Sequence, residues 1–146
     1  EIAQHRQKPV LLHIRKAHAE TLKILKQQQF QFGGIAHAFS GGVQEAKTLI
    51  KLGFKIGVTG QITNPNAKKL RRVVQEIGAK HLVLETDCPD MTPLCCQTDT
   101  QSRTRNTPAN LIYVLEGLAD CLEIVPKTLA AQLWQNSIQV LDLPKP

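Results

Sequence analysis

Two histidines and two carboxylates stand where short apolar runs of this sequence end. His13 ends the run VLLH and His37 ends GIAH, while Glu85 and Asp87 follow LVL and lie two residues apart. Imidazole nitrogens and carboxylate oxygens are common protein ligands of divalent metals such as zinc and manganese. Taken singly, each residue also suits a structural role such as a helix cap or an ion pair. The repetition indicates a divalent-metal site, whereas His18 has no such placement and is expected at the surface.

The apolar runs alternate with amphipathic stretches, which predicts a β-α repeat. Four strands are expected, at 9–13, 34–38, 54–58 and 81–85. Five helices are expected, at about 16–29, from 43 to Gly53, from Asn64-Pro65 to Gly78, at about 108–122 and from Pro126. Regular alternation calls for a parallel sheet covered by helices, with the chemistry at the carboxyl ends of the strands. The four candidate ligands are therefore expected at one edge of the sheet.

Three arginines and one asparagine are candidates for binding an anion near that edge. Arg15 lies two residues after His13, so both side chains are expected on the same side of the chain. Arg103, Arg105 and Asn106 lie in the polar stretch 99–107, which predicts a long loop, and are also candidate anion binders. An ordinary solvated loop is the alternative interpretation of that stretch.

Composition narrows the class of protein. The 146 residues are 42% apolar and 21% charged with a net charge of +6, which suits one packed domain and permits a polyanionic partner. No apolar run approaches the roughly 18 residues needed to cross a bilayer, and the start of the chain does not resemble a signal peptide. The four cysteines form no C-x-x-C pair, so we expect neither a disulfide framework nor a zinc ribbon. These features together predict a cytoplasmic protein without a membrane partner.

Several motifs, in order along nearly the whole chain, resemble one family. They are PVLLHIRKA at 9–17, HAFSG at 37–41, IGVTG at 56–60, LETDCP at 84–89, RNTP at 105–108 and Asn136 in the last helix. The strings HAFSG and ETDCP are specific. Together the motifs are similar to those of the TatD-type metal-dependent deoxyribonucleases, which are related to the amidohydrolases.

The resemblance implies a (β/α)8 TIM-barrel fold with one or two divalent metal ions (Mg, Mn or Zn) at the strand ends. His13, His37 and Asp87 match metal ligands, and Asp87 also matches the residue that contacts the attacking water. Strand alternation gives Glu85 a supporting role beside the ligands. The expected reaction is hydrolysis of phosphodiester bonds in DNA, including 3′–5′ exonuclease action on single strands or RNA. Nucleic acid is then the partner, with Arg15 and Arg105 on its phosphates.

The chain departs from the family pattern in its extent. The His-x-His pair of the family's first strand and the bridging Glu of its fourth are missing, and a whole barrel takes about 250 residues. Residues 1–146 are therefore expected to be a single, incomplete domain: the last four βα units plus a C-terminal helix. We expect an upstream barrel half, or a second half, to cover the open edges.

Two other functions agree with the same residues. Metal-activated water attacks carbonyl and phosphoryl centres alike, so the substrate could be an ester or amide, including an aminoacyl ester on tRNA. Alternatively, the chain is a non-catalytic half barrel that binds nucleic acid or a partner.

Overall fold

The computed structural model describes residues 1–98 and 104–144, in which four strands form one parallel sheet. The strands are β1 (Val10–His13), β2 (Gly34–His37), β3 (Phe54–Val58) and β4 (Leu82–Leu84). They lie in the order β1-β2-β3-β4, and each pairs in parallel with the next. The predicted parallel sheet is confirmed. Within the described ranges it is open, with β1 and β4 at its edges.

Helices precede the first strand, connect the strands and follow the last one. In the described part of the chain they are α1 (Ile2–Arg6), α2 (His18–Gln27), α3 (Val43–Lys51), α4 (Lys68–Ile77), α5 (Leu111–Leu122) and α6 (Pro126–Val140). The sequence did not predict α1, because five residues are too few to display a helical period. No helix in residues 1–98 or 104–144 combines the length and the apolar character needed to cross a membrane.

Helix α4 begins later than the sequence predicts. The start was expected at Asn64-Pro65, but the Asn64 side chain accepts a hydrogen bond from the Asn66 N–H at 2.8 Å. Such a bond forms a local turn that competes with the helix. A 3-10 turn at Gly60–Thr63 precedes it, and another at Pro108–Asn110 precedes α5.

One face of the sheet is buried beneath α3, α4 and α5. Ala36, Ile56 and Leu82 align in register across the three strands β2, β3 and β4, and each is at most 1% exposed. Fully buried helix residues pack in the same core: Leu49, Val73 and Val114. Burial of this row fixes which residues of each strand face the opposite side, because side chains alternate along a strand.

The opposite face is only partly covered. Ile35 and Val83 pack against Val140 and Leu141 at the end of α6. Leu11, on the edge strand β1, is 67% exposed. The middle of this face is thus closed by α6, whereas its β1 side is open.

The segment between β4 and α5 is anchored by a buried asparagine. Asn106 is 5% exposed; its amide donates to the Asp90 carbonyl at 2.9 Å, and its backbone N–H donates to the Pro89 carbonyl at 2.9 Å. The expectation that Asn106 binds an anion is wrong, because its side chain is occupied in holding the segment. Residues 99–103, most of the predicted loop and including the candidate Arg103, lie outside the described residues.

Candidate active site

Two histidines lie side by side at the carboxyl edge of the sheet. His13 is the last residue of β1 and His37 the last of β2, and parallel pairing places them directly opposite each other. Their ring centroids are 5.8 Å apart, with the ring planes inclined by 33°. His13 is exposed, whereas 24% of the His37 side chain is exposed. The two predicted imidazoles therefore occupy the predicted edge and are near neighbours.

Glu85, directly after the edge strand β4, is hydrogen-bonded to the ends of both β3 and β2. Its backbone N–H donates to the Val58 carbonyl at 3.1 Å, which extends the pairing of β3 with β4 by one residue. The side chain then spans β3 to reach the end of β2. There Oε2 lies 3.1 Å from Nδ1 of His37, and Oε1 accepts a hydrogen bond from the Ala38 N–H at 2.6 Å. One carboxylate thus fixes both the ring of His37 and the backbone that follows it.

A glycine makes room for that carboxylate. Gly57 lies in β3 beneath the Glu85 side chain, and a Cβ atom at this position would stand 2.3 Å from Oε1. Carbon and oxygen atoms that are not bonded to each other do not approach so closely. Any larger residue at position 57 would therefore push the Glu85 carboxylate away. Gly57 was not among the site residues predicted from the sequence. A glycine inside a strand is nevertheless a signal of close approach by another group.

Asp87 approaches the same histidine from the other side. Its Oδ1 lies 3.3 Å from Nε2 of His37, and about a third of its side chain is exposed. The segment after it is held by a hydrogen bond from the Asp90 N–H to the Asp87 carbonyl at 2.6 Å. Glu85 and Asp87 thus contact the two opposite ring nitrogens of His37.

The two carboxylates change the acidity of His37. Partial burial by itself lowers its pKa, but the hydrogen bond and charge of Glu85 and then those of Asp87 outweigh burial. The net effect raises the pKa of His37 above its usual 6.5. In the protein without metal, this imidazole therefore holds a proton more firmly than an isolated histidine does.

The donors fit part of a divalent-metal site. A ligating histidine commonly gives its second nitrogen to a carboxylate, as His37 gives Nδ1 to Glu85. Two ligands at ~2.1 Å from one ion lie roughly 3 to 3.5 Å apart, and Nε2 of His37 and Oδ1 of Asp87 are 3.3 Å apart. Within residues 1–98 and 104–144, however, no three His, Cys, Asp or Glu side chains converge as a metal site.

The remaining predicted residues lie apart from this cluster or elsewhere. Arg15 and Arg105 are exposed, and neither forms an ion pair with a carboxylate of the described residues. The expectation that His18 lies at the surface is wrong, since it is 9% exposed and packs edge-on to Phe39 with 5.4 Å between ring centroids. Its place at the first turn of α2 turns it toward the core.

The parallel β-α repeat, with histidine and carboxylate side chains at its carboxyl edge, defines an α/β protein of TIM-barrel-like architecture. A family model described as TatD related DNase matches residues 1–142, and the chain belongs to this family. The family resemblance of the motifs is thereby confirmed.

Individual relatives agree with this assignment. The chain is 42% identical over 144 residues to a protein of Escherichia coli (strain K12) named "Uncharacterized metal-dependent hydrolase YjjV", covering 99% of this chain and 54% of that protein. It is 32% identical over 145 residues to the "3'-5' ssDNA/RNA exonuclease TatD" of Pantoea sp. (strain At-9b), covering 98% and 55%. The chain therefore spans about half the length of these relatives.

Solved structures share the fold. The crystal structure of YjjV, a TatD homologue from Escherichia coli K12, superposes with a TM-score of 0.87 at 32% identity, covering 98% of this chain and 53% of that one. A TatD family hydrolase from Entamoeba histolytica superposes with a TM-score of 0.80 at 21% identity, covering 96% and 53%.

Proposed function

We propose that the chain carries one part of the active site of a metal-dependent hydrolase that cleaves phosphodiester bonds in nucleic acid. The observation that carries this proposal is the position of His37 between Glu85 and Asp87, beside His13, at the carboxyl edge of a parallel sheet. Family membership supports a hydrolase. The name of the Pantoea relative supports single-stranded DNA or RNA as the substrate and 3′–5′ exonuclease action as the mode.

His13, His37 and Asp87 would hold the metal ion. When bound, a divalent cation such as Mg²⁺, Mn²⁺ or Zn²⁺ would lower the pKa of a coordinated water and polarise a phosphoryl oxygen. Glu85 positions His37, because its carboxylate accepts from Nδ1 and leaves Nε2 directed to Asp87. The names of two relatives as metal-dependent hydrolases support a divalent ion as cofactor.

Other steps of the reaction, proton transfer and binding of the phosphate, are assigned to Asp87, Arg15 and Arg105. Asp87 accepts the proton of the attacking water, for which its partly exposed carboxylate is suited. Arg15 and Arg105, both exposed and without a carboxylate partner among the described residues, neutralise phosphate charge on the substrate. The net charge of +6 favours the approach of a polyanion.

The rest of the ligand set would come from a second half of the barrel. An open sheet leaves unpaired backbone groups at both edges, here β1 and β4. Closing a (β/α)8 barrel takes eight strands, and residues 1–146 would supply the last four βα units and the final helix. The half-length match to the relatives supports this arrangement.

A non-catalytic role is the second candidate for the chain taken by itself. It is favoured by one observation: within the described ranges, no group of three or more His, Cys, Asp or Glu side chains has an arrangement that could hold a metal ion. Under this alternative, the carboxyl edge binds nucleic acid or a partner without cleaving it.

An assay of cleavage with an Asp87→Asn variant tests the proposal. The complete barrel, in which this chain is joined to its other half, is loaded separately with Mg²⁺, Mn²⁺ or Zn²⁺ and given single-stranded DNA, RNA or a small carboxylic ester. We expect metal-dependent shortening of the nucleic acid, and a loss of about 10² to 10⁴-fold for Asp87→Asn. Asp120→Asn, an exposed change on α5, is the matched control and should be active. Equal rates for Asp87→Asn and wild type would contradict the role of Asp87, and cleavage of the ester alone would contradict the substrate.

A further inference from the structure

Two adjacent thiols lie on the segment that follows the candidate site. Cys95 is exposed and Cys96 is half-buried, and both are free cysteines. They belong to a 3-10 turn at Leu94–Cys96, which brings their Sγ atoms to 3.8 Å from each other. Neither thiol is used in the proposed hydrolysis.

A direct bond between these sulfurs is unfavourable. A disulfide needs Cα atoms about 4.4 to 6.8 Å apart, whereas adjacent Cα atoms across a trans peptide are only about 3.8 Å apart. A single thiophilic atom bonded to both sulfurs is a much better fit. Two sulfurs each ~2.3 Å from one atom lie roughly 3.3 Å apart at a pyramidal trivalent centre and roughly 3.8 Å apart at a tetrahedral one. The observed separation of 3.8 Å is at the upper end of this range, so a small rotation of either side chain brings the sulfurs to a pyramidal centre.

The turn that carries the thiols is anchored at several points. The Cys96 N–H donates to the Pro93 carbonyl at 2.9 Å, and the Leu94 N–H donates to Oγ1 of Thr63 at 2.8 Å. The Gln97 amide donates to the Thr92 carbonyl at 3.1 Å. The two sulfurs are therefore held near each other before any ligand arrives, which reduces the entropy lost on binding.

The electrostatics of the pair also favour a shared ligand. Burial and then the hydrogen bond and charge of Cys95 raise the pKa of Cys96, so the two thiols do not readily ionise together. A ligand that bonds to both sulfurs removes the repulsion between two thiolates.

We propose that Cys95 and Cys96 form a two-sulfur binding site for thiophilic elements such as trivalent arsenic. With a monosubstituted arsenical R–As=O, two As–S bonds form and the oxygen leaves as water with the two thiol protons. Arsenic stays trivalent throughout, so the step needs no oxidant or reductant. The site lies on the segment that joins Asp87 to α5, and is separate from the histidine–carboxylate cluster.

The test uses phenylarsine oxide as the probe and intact mass as the readout. Wild-type protein should gain one phenylarsenic group that survives excess 2-mercaptoethanol and is removed by the dithiol 2,3-dimercaptopropanol. Cys95→Ser and Cys96→Ser should each weaken the apparent affinity by about 10²-fold or more, because one sulfur cannot chelate. Cys88→Ser is the matched control and should retain the group, since Cys88 is also exposed but its Sγ contacts Oγ1 of Thr86 and no second sulfur.

The proposal would be overturned by retention of the group in both serine variants, or by its loss from Cys88→Ser. Thermal unfolding of each variant shows whether it is folded. Should Cys96→Ser fail to fold, the exposed Cys95→Ser decides the outcome. Wild-type protein that releases the probe to monothiol as easily as Cys95→Ser also contradicts a two-sulfur site.

Discussion

The Glu85 carboxylate reaches across an intervening strand to His37, with Oε2 3.1 Å from Nδ1. Its second oxygen accepts the Ala38 N–H at 2.6 Å, so the residue after β4 determines the position of the end of β2. The Glu85 side chain can pass over β3 because the residue beneath it is a glycine, Gly57, which has no Cβ atom to block the carboxylate. The orientation of the His37 ring therefore depends on residues from three neighbouring strands, β2, β3 and β4.

Replacing Glu85 by Gln should weaken metal binding. The amide has one oxygen for two donors, so either His37 or Ala38 loses its partner. We expect a loss of about 10- to 100-fold in metal affinity, measured by competition with a fluorescent chelator. Glu116→Gln, exposed on α5, is the control. Unchanged metal affinity in Glu85→Gln would contradict the proposal that the Glu85 carboxylate positions His37 for metal binding.

The variant Gly57→Ala should lower metal affinity through the same residue. Its Cβ would lie 2.3 Å from Oε1 of Glu85 and push the carboxylate away from His37. We expect a loss similar to that of Glu85→Gln, and almost no further loss in the double variant, because both changes remove one interaction. If the double variant lost the sum of the two single losses in metal affinity, the two changes would not act through the same interaction. Gly42→Ala, where the nearest contact is an ordinary 3.4 Å, is the control.

The stability of the metal-free protein should depend on protonation of His37. Its folded pKa is raised above 6.5, so the folded state holds the proton more tightly than the unfolded chain. The resulting stabilisation is fully present below 6.5 and is lost as pH rises through the folded pKa. Urea unfolding in a chelator, from about pH 6 to about pH 8, should show this fall. His37→Gln should flatten it, and an unchanged slope in that variant would refute the assignment to His37.

Asn136 should be important for stability rather than chemistry. Its amide is buried and donates to the carbonyls of Ala79 and Leu82 at 2.8 and 2.7 Å, which ties α6 to the start of β4. Asn136→Ala leaves these carbonyls unpaired and should cost about 1–3 kcal/mol of unfolding free energy. Urea unfolding checks this value, with the exposed Gln135→Ala as the control. A loss no larger than the control's would contradict the role.

The strands and their end residues could be predicted from sequence because two signals coincide there. Short apolar runs locate β1 to β4, and parallel pairing then forces His13 and His37 to the same edge. Alternation along the chain also placed Glu85 beside the histidines, as found. These features depend on local pattern and on the rules of parallel sheets.

Other features depend on contacts between distant residues, which a single sequence does not display. The burial of His18 depends on Phe39, which follows a different strand. Asn106 is anchored by carbonyls 15 or more residues earlier in the chain. The role of Gly57 becomes apparent only when Glu85 is seen to cross it.

The most direct test of the proposed active site is anomalous diffraction from crystals of the protein grown with Mn²⁺ or Zn²⁺. We predict a metal peak within about 2.0–2.3 Å of a carboxylate oxygen of Asp87 and of ring nitrogens of His13 and His37. Glu85 should remain on Nδ1 of His37 without contacting the ion. A metal bound elsewhere with this edge empty, or ligated by Glu85 in place of His37, would contradict the account.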